Sequence, residues 1–366
     1  MEREELRFLI AGGGTGGHIY PAIAVAEELK RADRRCRILF VGTREGLEKK
    51  IVPSAGFHLD FIRVGGLKGK SIGMTLRNVM LLPIAMLGTM RILLTFRPHV
   101  TLGVGGYASG PVVLFSALLR IPTMIHEQNV IPGATNRLLG RFVKNIAVSF
   151  SETAGAFKKQ VTVTGNPVRG GFTRIAAREK KEGFHVLFFG GSRGAAALNR
   201  ATVRALPLLA ASGEPVHLTI QTGEQDYEMV AKAFTKSGIP GTVTPFITDM
   251  AKNMEAADLL VCRAGATTLA EIMAAGRAAI LIPFPQAVHN HQEINARALE
   301  RKGGARVVLE KDLTGERLAD EIFDLLRSPG KLRKMEEASR SDTGGEAAGM
   351  ISEILMTLAS GKRRTA

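Results

Sequence analysis

The sequence contains no tryptophan, only three tyrosines and only two cysteines in its 366 residues. Cys36 and Cys262 are far apart and lie next to or within apolar runs, so a disulfide framework is not indicated and a reducing compartment is expected. Zinc-site spacings, a helix-turn-helix pattern and the aromatic motifs of RNA-binding sheets are also missing, which makes nucleic acid a weak candidate partner. The first residues run directly into an apolar strand, so no secretory signal is predicted.

An apolar stretch without charge extends from Val79 to Met90, and Ile92 to Phe96 continues it after Arg91. The stretch is too short to span a bilayer, and Pro83 and Arg91 interrupt it. Two interpretations remain open: a helix of the core, or an apolar patch that rests on an anionic membrane. Both hold if only one face of the helix is exposed. The basic residues that flank the stretch are Lys68, Lys70, Arg77, Arg91 and Arg97.

The formal net charge is +15, and it is concentrated in the first half of the chain. From Phe61 to Lys144 there are ten basic residues and a single acidic one, Glu127. Such a field suits an anionic membrane surface or a polyanionic substrate, and no nucleic acid partner is expected.

Short runs of Val, Ile, Leu and Phe alternate with helical patterns along the whole chain, which predicts parallel sheets covered by helices on both faces. The strands form two series, and a glycine-rich turn follows the first strand of each, at Gly12 and at Gly190. We therefore predict two Rossmann-like units with a hinge near 164–169, where Gly and Pro interrupt the pattern. A terminal amphipathic helix, about 342–360, is expected to pack back onto the first unit.

The first glycine turn satisfies the dinucleotide pattern G-x-G-x-x-G with Gly12, Gly14 and Gly17. That fingerprint also needs an acidic residue at the end of the second strand, and none is present there. Arg44 at this position keeps an NADP-dependent oxidoreductase as an alternative. The loop is otherwise suited to another phosphate or to a closely approaching ligand. His18 ends the loop as either a neutral base or a residue that bonds its own loop.

Further polar groups follow other strands, at the edge where ligands bind to open parallel sheets. Tyr107 lies within a second glycine-rich loop, as either a turn residue or a substrate-facing hydroxyl. Glu127 belongs to a cluster of four hydrogen-bonding residues, 126–129, for which a functional role is favoured. Glu271 follows a turn of small residues that suits a phosphate. His289 and His291 raise the possibility of a metal, but no third ligand is evident, and we favour hydrogen bonds to sugar hydroxyls.

Seven motifs, in this order and spacing, resemble the family 28 glycosyltransferases of bacterial peptidoglycan synthesis. They are GGGTGGH at 12–18, GGYASGP at 105–111, HEQN at 126–129, GNPVR at 165–169, GGSRGA at 190–195, CRAGATTLAE at 262–271 and HQEINA at 291–296. The resemblance implies a GT-B fold, in which two Rossmann-like parallel-sheet domains face a central cleft. It implies a first, acceptor-binding and membrane-associating domain over 1–164, joined by the terminal helix, and a second, UDP-sugar-binding domain over 165–341.

The resemblance also implies an activity: inverting transfer of N-acetylglucosamine from UDP-GlcNAc to the C4 hydroxyl of the muramoyl-pentapeptide of lipid I, giving lipid II. It implies a peripheral enzyme on the cytoplasmic face of the cell membrane, with no cofactor and no required metal. The absence of an Asp-x-Asp motif agrees with this. His18 is then the favoured general base, and Glu127 is the second candidate as base or orienting carboxylate.

The same resemblance assigns substrate contacts residue by residue. Arg169 and Ser192 hold the diphosphate, Phe246 and Ile247 border the uracil, and Gln292 holds the transferred sugar. The donor contacts in the 262–271 motif are Ala266, Thr267, Thr268, Leu269 and, on the ribose, Glu271. The contacts from the first domain are Thr15, Gly16, Gly17, Tyr107 and Asn129. The family usually has Gln where this chain has Arg193, which adds a further candidate contact to the diphosphate.

Overall fold

A computed structural model of the chain describes residues 5–64, 82–173, 175, 183–191, 194–287, 290–340 and 345–361. The chain divides into two compact units, residues 1–169 with 345–366 and residues 170–344. Ser192, Arg193 and His289, together with the beginning of the apolar stretch at 79–81, lie outside the described residues.

The first unit is built on a parallel sheet with the strand order β3-β2-β1-β4-β5-β6-β7. Its strands β1 to β7 are Arg7–Ala11, Arg37–Gly42, His58–Phe61, Val100–Gly103, Thr123–Glu127, Asn145–Val148 and Thr162–Val163. Its helices are α1 Gly16–Ala32, α2 Glu48–Ser54, α3 Leu82–Phe96, α4 Ser109–Leu118, α5 Ala134–Leu139 and α14 Ala347–Ala359. The central strands β1, β4, β5 and β6 are almost wholly buried, as expected for a parallel sheet that helices cover on both faces.

Strand β1 lies in the core of the first unit, between β2 and β4. Ile10 is paired with Phe40 on one side and with Leu102 on the other, and all three are buried. Helix α14 returns from the end of the chain and packs against α1, where Ile351 and Leu355 join the same hydrophobic cluster. The C-terminal segment therefore completes the core of the first unit.

The second unit contains a parallel sheet with the order β10-β9-β8-β11-β12-β13. Its strands β8 to β13 are Phe184–Phe189, Val216–Gln221, Gly241–Thr244, Leu259–Cys262, Ala278–Leu281 and Ala305–Val307. Its helices α6 to α13 are Gly170–Thr173, Ala196–Ala211, Tyr227–Ser237, Met250–Ala256, Ala266–Ala275, His291–Arg301, Gly315–Leu326 and Pro329–Ser339. The two series of strands that the sequence predicts are thus confirmed, one in each unit.

Helix α3 contains most of the apolar stretch and has two different faces. Ala85, Ile92 and Leu93 are buried, so the core interpretation is confirmed for this face. The side chains of Leu87 and Leu94 are 73% and 63% exposed, so a second apolar face is open to solvent. Among the described residues, no helix is long and apolar enough to cross a membrane.

Candidate active site

The strand order of the first sheet reverses between β1 and β4, which are neighbours in space. In open parallel sheets, ligands bind outside the carboxyl ends of the strands at such a reversal. The loops that leave this edge are the two glycine-rich loops, Gly12 to Thr15 and Val104 to Ala108. The fold thus brings two of the predicted motifs to its most favourable ligand-binding position.

The two glycine-rich loops pack backbone against backbone. A Cβ atom on Gly12 would lie 2.9 Å from the carbonyl oxygen of Gly105, and one on Gly106 would collide with the backbone of Gly13. Gly106 also has a φ of +82°, which favours glycine. Thr15 is exposed at the N-cap of α1, and its side chain makes no capping hydrogen bond. The helix end beyond it is of the kind that binds anions.

A buried carboxylate, which the sequence analysis missed, fixes the first of these loops. Glu48, at the start of α2, accepts a hydrogen bond at Oε2 from the N–H of Gly14, at 2.7 Å. Its Oε1 accepts from the N–H and the hydroxyl of Thr43, at 2.8 and 2.9 Å. Glu48 is only 1% exposed, and the three hydrogen bonds fix the orientation of its side chain. No local sequence pattern distinguishes Glu48 from the surface acids around it.

His18 lies over the second glycine loop and is tied to the cluster that follows β5. A Cβ atom on Gly105 would lie 2.9 Å from its ring, so the imidazole rests against this backbone. Its Nδ1 is 3.1 Å from Oε1 of Gln128. Gln128 in turn contacts His126, with 3.2 Å between Nε2 and Nδ1. The pKa of His126 is lowered to about 4, first because burial disfavours the imidazolium ion.

Glu127 is buried, and both of its carboxylate oxygens are fully engaged. Oε1 accepts from the backbone and side-chain N–H groups of Asn129, at 3.0 and 3.1 Å. Oε2 accepts from the N–H of Gly133 at 3.0 Å and from Nδ2 of Asn136 at 2.9 Å. This geometry orients the side chain of Asn129 and the loop that leads into α5. Among the described contacts each carboxylate oxygen accepts two hydrogen bonds, which favours an orienting role over that of a base.

Two other predicted residues of the first unit differ in exposure and contacts. Tyr107, in the loop Val104 to Ala108, is 52% exposed. The Arg169 guanidinium stacks on the ring of Tyr20, with 4.4 Å to the ring centroid. The Tyr20 ring lies against Gly16, so Arg169 is close to the start of α1 at Gly16 and Gly17.

The second sheet has its reversal between β8 and β11, again with a glycine-rich loop on one side. Gln221, at the end of β9, accepts from the N–H of Gly190 at 3.3 Å and donates to the carbonyl of Pro245 at 3.0 Å. Gln221 therefore joins the glycine loop to the turn that precedes Phe246. Gln221 lies outside the seven sequence motifs.

The motif after β11 forms the first turns of α10. Gly265 is the N-cap of this helix, and Ala266, Thr267 and Thr268 form its first turn, at the end of a helix that favours anions. Glu271 is buried on the same helix. Leu269 differs from the expected role: its side chain is fully buried in the core and its N–H donates to the carbonyl of Gly265. Leu269 therefore packs the helix onto the sheet.

The remaining predicted residues of the second unit lie on two loops. Phe246 is 51% exposed after β10, whereas the neighbouring Ile247 is buried. Gln292, in the first turn of α11, accepts at Oε1 from the N–H of Phe284, at 3.0 Å. Across the described part of the chain, no group of three His, Cys, Asp or Glu residues could hold a metal ion.

Comparison with known protein families identifies the family to which the two units belong. Residues 8–148 match the glycosyltransferase family 28 N-terminal domain, and residues 185–350 match the glycosyltransferase family 28 C-terminal domain. The chain belongs to glycosyltransferase family 28. Its two parallel-sheet units are the two halves of the GT-B fold, as predicted. This membership argues against the oxidoreductase alternative. Arg44, the residue on which that alternative depended, stacks on Phe61, with 5.5 Å from its guanidinium carbon to the ring centroid.

Family 28 relatives match over nearly the whole chain. A protein of Syntrophus aciditrophicus is 48% identical over 96% of this chain and 99% of its own length. A protein of Anaeromyxobacter sp. is 48% identical over 96% of this chain and 93% of its own length. Both are named UDP-N-acetylglucosamine--N-acetylmuramyl-(pentapeptide) pyrophosphoryl-undecaprenol N-acetylglucosamine transferase. The crystal structure of Acinetobacter baumannii MurG superposes with a TM-score of 0.80 at 29% identity, covering 96% of this chain and 99% of that one.

Proposed function

We propose that this family 28 enzyme transfers N-acetylglucosamine from UDP-GlcNAc to the muramoyl-pentapeptide of lipid I, which yields lipid II for peptidoglycan synthesis. The observation that carries the proposal is the match, at 48% identity over 96% of the chain, to a relative named for this reaction. The seven sequence motifs and the two glycine-lined sheet edges support the same conclusion.

In the proposed reaction the first unit binds the acceptor. The oxygen of the C4 hydroxyl attacks the anomeric carbon of the donor, the bond from that carbon to the diphosphate oxygen breaks, and UDP leaves with the electron pair. The hydroxyl proton passes to Nε2 of His18, which acts as general base. Glu127 is the orienting carboxylate, since its four hydrogen bonds already occupy both oxygens. It directs Asn129 to the substrate.

The second unit binds the donor. We assign the diphosphate to the opening turn of α10, at Ala266, Thr267 and Thr268, and to Ser192, since helix N-termini stabilise the charge that develops on a leaving diphosphate. Glu271 accepts hydrogen bonds from the ribose hydroxyls. Gln292 donates from its amide nitrogen to the transferred sugar, because its oxygen is held by Phe284.

The remaining contacts involve the uracil ring and the glycine loop of the first unit. Exposed Phe246 and the backbone of Ile247 border the uracil. Arg169, stacked on Tyr20, adds positive charge for a diphosphate. Thr15, Gly16, Gly17 and Tyr107 contact the acceptor or the donor sugar from the first unit.

We also propose that the enzyme is peripheral, on the cytoplasmic face of the membrane that holds its lipid-linked acceptor. The exposed apolar face of α3, which includes Leu87 and Leu94, lies in the most basic part of the chain. Apolar side chains beside basic ones bind anionic bilayers by partial insertion and charge attraction. Domain 1–164, with the terminal helix, is the membrane-associating part in this proposal.

The proposal is tested by following release of UDP from UDP-GlcNAc by the purified enzyme, with and without a lipid-linked muramoyl-pentapeptide diphosphate. We expect release only when the acceptor is present, and slower release when another UDP-sugar replaces UDP-GlcNAc. An equal rate of UDP release with and without the acceptor, or an equal rate with every UDP-sugar, would contradict the proposed function.

A further inference from the structure

Gln128 is buried directly after β5, between two histidines, and its side-chain amide has three hydrogen-bond partners. Its Nε2 donates to the carbonyl oxygen of Val104 at 2.9 Å. The same nitrogen faces Nδ1 of His126 at 3.2 Å, while Oε1 faces Nδ1 of His18 at 3.1 Å. The amide therefore links the second glycine loop, the polar cluster and the proposed base.

The partners fix which end of the amide faces His18. A carbonyl oxygen only accepts, so the NH2 group of Gln128 must be the end that faces Val104. The contacts of His126 require the same orientation of the Gln128 amide. The Nε2 atom of His126 is 3.1 Å from the carbonyl of Gly165 and must donate to it, so Nδ1 of the neutral ring carries a lone pair. That lone pair accepts the second N–H of Gln128.

The oxygen of Gln128 is thereby left to face His18, and an oxygen without a proton can only accept. The Nδ1 atom of His18 must then carry the hydrogen, and the lone pair of the neutral imidazole stands on Nε2. In water a histidine side chain favours the opposite arrangement, with the hydrogen on Nε2. The protein thus imposes the less common tautomer on this ring.

We infer that Gln128 is a positioning residue that holds His18 in the Nδ1–H tautomer and so presents the lone pair of Nε2 to a substrate proton. The consequence for catalysis rests on the proposed function, in which His18 is the base. The tautomer itself does not depend on that function, so the two can be tested separately.

The direct test is the 15N spectrum of the histidine rings at about pH 8, above the ordinary pKa of histidine. The His18 signals are identified by their loss in the His18→Asn variant. We expect the wild-type ring to show Nδ1–H and the Gln128→Met variant, which removes the acceptor, to move toward Nε2–H. Gln128→Glu keeps an acceptor oxygen and should retain Nδ1–H. A wild-type ring with the hydrogen on Nε2 would overturn the inference, whether or not either variant folds.

Steady-state transfer assays with the same proteins then test the catalytic consequence. Gln128→Met should lower kcat by on the order of 100-fold, the usual size of a general-base contribution, with little change in KM. The matched control is Ser116→Ala, which removes a buried hydrogen bond to Thr101 in the same unit and should leave kcat and the His18 tautomer unchanged. If Gln128→Met changed the tautomer but not kcat, the inference would stand and the assignment of His18 as base would fail.

Discussion

Glu48 accepts a hydrogen bond from the backbone N–H of Gly14, at 2.7 Å, across 34 positions of sequence. The bond joins a helix to the glycine-rich loop that follows the first strand. A loop of glycines has little intrinsic preference for one conformation, because glycine loses more conformational freedom on folding than other residues. The buried carboxylate supplies the constraint that the loop sequence lacks.

Substitution of Glu48 by Gln should therefore affect both stability and activity. An amide replaces one acceptor oxygen by a donor, so the N–H of Gly14 or the donors of Thr43 lose their partner. We expect a loss of about 1–3 kcal/mol in the free energy of unfolding, measured with denaturant, and a lower kcat/KM for the acceptor. Glu45→Gln is the matched control, since Glu45 is an exposed acid of the same turn. Equal effects of the two substitutions would count against a role for Glu48 in holding the loop.

Stability should decline in acid through His126. Its folded-state pKa of about 4 lies below the ordinary value of 6.5, chiefly because of burial. The unfolded chain therefore binds the proton first. The contribution of the neutral His126 ring to the free energy of unfolding is present in full above about pH 6.5 and is lost as pH falls toward 4. The loss amounts to about 3 kcal/mol. Denaturant unfolding from pH 7 to pH 4 should show a shallower decline for His126→Asn than for the wild type. His58→Asn, at an exposed histidine, is the matched control, and a parallel decline in all three proteins would disprove the assignment.

Membrane binding should depend on the exposed face of α3. Burial of one leucine side chain in lipid contributes about 1.5–3 kcal/mol to the free energy of binding. Loss of Leu87 or Leu94 should therefore lower the affinity for the membrane roughly tenfold or more. We expect Leu87→Ser and Leu94→Ser to weaken cosedimentation with vesicles that contain anionic lipid, and added salt to weaken it further. Leu208→Ser, at a partly exposed leucine of the second unit, is the control. Unchanged binding of both α3 variants would place the membrane contact elsewhere.

Donor affinity should depend on the charge of Glu271. A carboxylate bonds hydroxyl groups more strongly than a neutral amide does, by about 1.4 kcal/mol or more, which is at least roughly tenfold in affinity. Glu271→Gln should thus raise KM for UDP-GlcNAc by about tenfold with a smaller change in kcat. Glu228→Gln, at an exposed acid of the same unit, should leave KM unchanged. A wild-type KM in the Glu271→Gln enzyme would contradict the proposed contact between Glu271 and the ribose.

The sheets could be predicted from the sequence because most strands are short apolar runs and a glycine-rich turn follows the first strand of each sheet. Local pattern was sufficient to place β1 before the loop at Gly12 and β11 before the turn at Gly265. It also marked His18 and Glu127 as candidates, since polar side chains after buried strands stand out.

Contacts between distant segments could not be predicted in this way. Gln128 lies 110 positions from His18, and only the fold shows that its amide oxygen faces the imidazole. Glu48 resembles any other acid at the start of a helix until its three donors are seen. Likewise, the sequence left Glu127 as a possible base, whereas its four hydrogen bonds favour an orienting role.

The central claim is that this chain forms a new glycosidic bond on a lipid-linked acceptor. The most direct test is to analyse that acceptor after incubation with the purified enzyme and UDP-GlcNAc, by mass spectrometry and by NMR of the isolated product. We predict that the muramoyl-pentapeptide gains one N-acetylglucosamine, joined in β configuration to its C4 hydroxyl. An unmodified acceptor, or a sugar joined in α configuration or at another hydroxyl, would contradict the account.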